Sequence, residues 1–180
     1  MQPIGLLMKE HRLIERMVKV LEKELQQSKK SLKIDTEFMA VAVDFFKTYA
    51  DETHHGKEED ILFNSLSKKN LSKNLKRIMD QLIQDHKTSR ATIQALTEAN
   101  KRYSQGYHAS ITEIMKKLRL LISLYPKHIE TENKHFFFPV MDFFTKKECD
   151  VMLQEFINFD KNMIHEHYTS IVETQEKRYE

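Results

Sequence analysis

The chain has 180 residues, with 29 basic and 27 acidic side chains interspersed and a formal net charge of +2. That length fits one domain over residues 1–180, and the mixed charge offers no single-signed field to draw nucleic acid or anionic lipid. Only three Gly and three Pro occur among many Leu, Lys, Glu, Ile and Met residues, which is the usage of long helices and excludes a fold built on strands.

Met1 to Met8 lacks the basic region and long apolar run of a signal peptide, and no stretch reaches the roughly 18 apolar residues of a membrane span. From Ile4 to about Lys30, Leu7, Ile14, Val18, Leu21 and Leu25 recur every three or four positions and predict a first helix. Asp35 or Thr36 caps a second, with Phe38, Val41, Phe45 and Leu62 on one stripe, ending near Ser65. Ser67 to Asn70 reads as a polar turn. Leu75, Ile78, Leu82, Ile93 and Leu96 mark a third helix to about Tyr103, and Gly106 closes the connection. Ile111, Ile114, Leu118 and Leu121 carry a fourth, which is expected to kink at Pro126 and to stop before Pro139. Thr145 or Asp142 caps a fifth through Val151, Phe156, Phe159 and Met163, about residues 145–178. The expected fold is an all-α, antiparallel up-down-up-down four-helix bundle over about 4–137, with an additional C-terminal helix. Cys149 in that last helix is the single cysteine, too few for a disulfide or a multi-cysteine metal cage, and fits a reducing cytoplasm.

Histidine and glutamate interrupt the apolar stripes, where an unpaired polar group costs most. His11 falls between Leu7 and Ile14, and His86 follows Ile78 and Leu82. The second helix runs Phe38, Val41, Phe45, Thr48, Glu52, His55, Glu59, Leu62, and the fourth runs Leu118, Leu121, Tyr125, His128, Glu132, Phe136. Residues four apart share a helix face, so His55 with Glu59 and His128 with Glu132 are each a ready chelate. Imidazole nitrogens and carboxylates that can bridge suit a dinuclear site in a bundle core. His54 with Glu58 is a second register on a poorer stripe, Ala40, Val43, Lys47 and Ala50. Glu52 is either a ligand or a partner that orients a histidine, and Tyr49 and Tyr125 are either core residues or hydrogen-bonding groups near the site.

The order His11, His55-x3-Glu59-x-x-Leu62-Phe63, His86, His128-x3-Glu132 resembles the hemerythrin-like, or HHE cation-binding, family. The resemblance implies two iron ions bridged by Glu59 and Glu132, with His11 and His55 on one iron and His86 and His128 on the other. Oxygen-carrying hemerythrins offer two histidines four apart on the third helix, whereas here Arg90 follows His86. That leaves one position short, and His165 in the His165-Glu166-His167 cluster is the candidate to complete it. The expected function is a cytoplasmic di-iron protein that binds oxygen or a related small molecule, peroxide or nitric oxide, as sensor, store or scavenger. The alternatives are a di-iron oxidase or peroxidase-like enzyme, in which Arg90, Glu52 or a tyrosine delivers protons, and an iron-responsive structural module. Zinc or manganese would also suit these ligands.

Overall fold

The computed structural model describes residues 2–160 and 164–179, and among these every regular element is helical. Helix α1 (Ile4–Ser31) is followed by a long helical run from Thr36 to Ser67 that changes character along its length. It starts as α2 (Thr36–Asp44), passes through two π-helical segments, Phe45–His55 and Lys57–Phe63, and ends as α3 (Asn64–Ser67). Next come α4 (Lys73–Ser104) and α5 (Ile111–Thr131), then a π-helical segment Glu132–Phe136 and the short α6 (Phe137–Met141). The chain closes with α7 (Lys146–Phe159) and α8 (Ile164–Glu176). Among the described residues no helix is long and apolar enough to cross a membrane.

The ends follow local chemistry. Asp35 accepts from the Phe38 amide at 2.9 Å and opens α2, Ser72 accepts from the Leu75 amide at 3.3 Å and opens α4, and Thr145 with Glu148 forms a capping box on α7. One expectation fails at a proline. Helix α5 includes Pro126 within its length. But helical structure continues past Pro139, because Pro139 lies in the first turn of α6, where backbone N–H groups have no intrahelical partner to lose. The single expected C-terminal helix is instead α7 and α8 on either side of residues 160–163; Met163 lies outside the described residues.

Helix α1 packs on α5, α5 on α4 and α4 on α2, while α8 lies against α1. The core is in two parts. One gathers Leu13, Leu21, Phe45, Tyr49, Ile93, Leu118 and Tyr125; the other gathers Leu7, Leu62, Leu82, Phe136, Phe137 and Phe156. Along each of the four long helical runs a buried polar stretch separates the two parts: His11 between Leu7 and Leu13, His54 to Glu58 between Tyr49 and Leu62, His86 between Leu82 and Ile93, His128 and Glu132 between Tyr125 and Phe136. The fold thus assembles one polar layer inside hydrocarbon.

Leu32 ends α1 in the left-handed region, φ 54° and ψ 32°, with its side chain 73% exposed. A Cβ in that conformation costs about 1 kcal/mol that glycine does not incur. Leu32→Gly is therefore expected to raise the thermal unfolding midpoint by a few degrees. A midpoint that falls would place the cost elsewhere.

Candidate metal centre

The π-helical segments decide which side chains point inward. Their i→i+5 hydrogen bonds widen the turn, so the 3.6-residue stripe drawn from Phe38 to Leu62 does not hold across them. His54, His55, Lys57 and Glu58 are all buried, each at 1% exposure or less, while the Glu59 side chain is 27% exposed. The expected His55–Glu59 chelate is corrected accordingly. Glu58 enters the polar layer together with both His54 and His55, and Glu59 lies at its edge.

Two groups of side chains meet there. His11, His54, Glu58 and Glu132 present ligand atoms within 4.8 Å of one another, and so do His55, Glu58, His86 and His128. Glu58 belongs to both: one of its oxygens lies 3.4 Å from His54 Nε2 and the other 3.4 Å from His86 Nε2. Glu132 Oε2 also touches both, 3.1 Å from His11 Nε2 and 3.2 Å from His128 Nε2. His86 and His128 bring their Nε2 atoms to 3.2 Å. The division of histidines therefore differs from the expected one, since His54 sits with His11 while His55 joins His86 and His128. His54 and Glu58 form the second register, which the poorer stripe ranks behind His55 and Glu59.

The outward face of every one of these rings is tethered. His11 Nδ1 pairs with Asn133 Oδ1 at 3.0 Å, His54 Nδ1 with Glu10 Oε2 at 2.8 Å, and His55 Nδ1 with Asp51 Oδ1 at 3.2 Å. His86 Nδ1 pairs with Glu59 Oε1 at 2.7 Å, and His128 Nδ1 with Asp85 Oδ2 at 3.4 Å. Each Nδ1 faces an oxygen acceptor to which it can donate, and that tautomer leaves Nε2 available as a ligand atom. Glu59 thereby orients His86. Arg90, where a second histidine was looked for, donates from Nε to Asp51 and from Nη2 to Glu59, both at 2.7 Å, and so holds the carboxylates behind His55 and His86. His165 is not brought into the centre. Its Nε2 lies 2.9 Å from Asp160 Oδ2 and its Nδ1 3.1 Å from the Tyr49 hydroxyl, with Glu10 between it and His54. Tyr125 hydrogen-bonds Ser89 at 2.8 Å beside the His55 ring. Glu52, Glu130 and His135 lie on the exposed side.

The inner face is short of donors. His11 Nε2, His54 Nε2 and all four carboxylate oxygens of Glu58 and Glu132 are buried without a hydrogen bond, while His86 Nε2 and His128 Nε2 pair only with each other. Burial and the neighbouring Glu132 carboxylate push Glu58 well above the usual carboxylate range. Burial also lowers His54 and His55 far below the usual imidazole value, which keeps them neutral, and lowers His86 despite its Glu59 partner. At His128 burial is outweighed by Glu132 and Asp85, which raise it. Neutral imidazole nitrogens and carboxylate oxygens turned inward form a donor set for cations, which would satisfy the orphaned atoms together. The residues present fit a cation-binding centre, which either group could hold, and Glu58 belongs to both groups.

Around the edge, burial raises the Glu59 carboxyl, but hydrogen bonds from His86 and Arg90 outweigh it and hold the group at about 2. Its stabilising effect is complete above the ordinary value of about 4.3 and is lost as pH falls through about 2. In metal-free protein, carboxyl NMR should find Glu59 titrating near 2, and Arg90→Met should move that midpoint up toward the ordinary range. An unmoved midpoint would deny Arg90 this part.

Comparison with known families gives one result: the model of the hemerythrin HHE cation binding domain matches residues 2–138. No curated protein and no solved structure matches the chain. The match runs from α1 to the start of α6, includes every residue of the polar layer, and leaves α7 and α8 outside it. With most of its length matched by that model, this chain belongs to the hemerythrin HHE cation-binding domain family.

Proposed function

We propose that the protein is a cytoplasmic non-haem di-iron protein that binds oxygen or a related small molecule, peroxide or nitric oxide, as a sensor, store or scavenger. The observation that carries this reading is the direction of the imidazole rings. Five buried imidazoles, His11, His54, His55, His86 and His128, each have Nδ1 tied to an oxygen, and their Nε2 atoms converge on Glu58 and Glu132. A single metal would leave part of that donor set unused. We read Glu58 and Glu132 as the bridging carboxylates, His11 and His54 as ligands of one iron, and His55, His86 and His128 as ligands of the other. The packing order of α1, α5, α4 and α2 supports the antiparallel bundle as their frame.

Bound iron would supply the electron chemistry toward oxygen. The chain's own part is to hold His54, His55 and His86 neutral, to orient the five rings from behind, and to exclude water. Phe63, Phe136 and Phe137 are buried beside the layer, with the Phe137 ring stacked 5.6 Å from His11 and the Phe63 ring 6.1 Å from His86. The recess that reaches His55, His86, His128 and Tyr125 has essentially no room for a water molecule, so entry of a small ligand requires side-chain movement. Binding is favoured over oxidase or peroxidase chemistry because Arg90, a candidate for proton delivery, is occupied by Asp51 and Glu59.

Protein purified without air and analysed for metal is expected to carry two irons per chain. Glu58→Gln should lose at least one of them. Glu59→Gln should retain both, with about 10- to 100-fold weaker affinity, the usual cost of removing an outer partner of a ligating histidine. Retention of both irons by Glu58→Gln, or loss of both by Glu59→Gln, would refute the assignment. A spectral change in air that reverses on removing oxygen supports binding; consumption of peroxide with permanent bleaching would transfer the protein to the enzymes. Stabilisation by metal without any response to oxygen would leave only a structural cation.

A further inference from the structure

Among the carboxyl and amide oxygens that face the five imidazoles from behind, one is set apart. Asp51, Glu59 and Asp85 keep side chains 20–27% exposed, and Asn133 is half-buried. Glu10, behind His54, is 4% exposed and is the one tied to a buried cation. That cation is Lys57, whose side chain has no exposure at all. Its ammonium donates to Glu10 Oε1 on one side and to Asp160 Oδ1 on the other. An ammonium buried this completely needs charged partners on more than one side. Asp160 comes from the residue just after α7, beyond the part of the chain that the family model matches.

A second contact brings Asp160 there. The Phe159 ring lies so close over Gly56 that a Cβ on residue 56 would sit 2.8 Å from Phe159 Cζ. Gly56 thus lets the end of α7 close onto the junction of the two π-helical segments, immediately beside Lys57. His165, at the start of α8, then braces Asp160 with a 2.9 Å contact.

We propose that the C-terminal segment acts on the metal centre through a buried chain, Asp160 to Lys57 to Glu10 to His54, and that Asp160 is a positioning residue for the His54 ligand. The proposal rests on the di-metal reading above. A carboxylate that accepts from a ligating histidine raises the basicity of its other nitrogen. Asp160 shares the Lys57 charge, leaving Glu10 a stronger acceptor toward His54 Nδ1. Without Asp160, Lys57 is drawn wholly onto Glu10, and His54 becomes a poorer ligand. Undocking of α7 would have the same effect, so the segment beyond the family match can tune one of the two metal positions.

The test uses the full-length chain with Asp160→Asn, an isosteric change that removes the charge. In metal-free protein the nitrogen-15 resonances of the His54 ring should shift. In iron-loaded protein, competition with a chelator should find one of two irons bound about tenfold more weakly. Glu10→Gln, which keeps the Asp160–Lys57 pair, should move the same resonances and remains available if Asp160→Asn does not fold. Lys69→Met is the control, because it cuts the 2.5 Å Lys69–Glu148 pair that also holds α7 but does not touch the chain to His54, and it should change neither readout. The proposal is overturned if Asp160→Asn or Glu10→Gln lowers the unfolding midpoint while the His54 resonances stay in place. It is overturned equally if Lys69→Met reproduces the shift. A wild-type protein that binds no iron would refute the di-metal reading, and the metal-free resonances would still decide whether the chain reaches His54.

Discussion

Two carboxylates facing one another inside hydrocarbon are the constraint from which the rest of this molecule follows. Glu58 and Glu132 are fully buried, and none of their oxygens has a protein donor in hydrogen-bond geometry. Ionised groups in such a place cost several kcal/mol each unless something pairs with them. The Nδ1 atoms of the five imidazoles cannot do it, because they face the other way. Cations held by these residues would satisfy both carboxylates, which agrees with the cation-binding family to which the chain belongs.

Holding that layer requires support from both sides along the bundle and from behind each ring. The two parts of the apolar core lie on either side of the layer along each long helical run and keep it dry. Behind the rings, Asp51, Glu59 and Asp85 remain partly solvated, which lets them stay ionised at modest cost. Arg90 ties two of them together, so a position where a ligating histidine was sought instead orients two histidines at once. His54 is held differently, by a buried carboxylate and a buried ammonium that also engage the end of α7.

The π-helical segments allow one helical run to supply much of the site. In an α-helix adjacent residues diverge too far for both to face a narrow core, but the wider turn brings His54, His55 and Glu58 inward together. The same widening carries Lys57 to the side where Glu10 and Asp160 meet it. A local change of helix type thus adds an imidazole to the layer and opens the route from it to the C-terminal segment.

Much of this was legible in the amino-acid order. Apolar periodicity marked all the long helices, and Asp35 and Thr145 announced two caps. His11, His86, His128 and Glu132 stood out because a polar group on a core stripe is costly unless a partner meets it there. Those signals are local, since helix periodicity needs only near neighbours. Glu58 over Glu59, and His54 beside His55, depended on the π-helical turn, which no periodic stripe of 3.6 residues can express. The place of His165 depended on α7 and α8 folding back over Gly56 and Lys57. Sequence by itself determined that buried histidines and carboxylates would meet in a helical core; only the tertiary structure decided which of two adjacent carboxylates meets them, because backbone hydrogen bonding sets the angle at which each side chain leaves its helix.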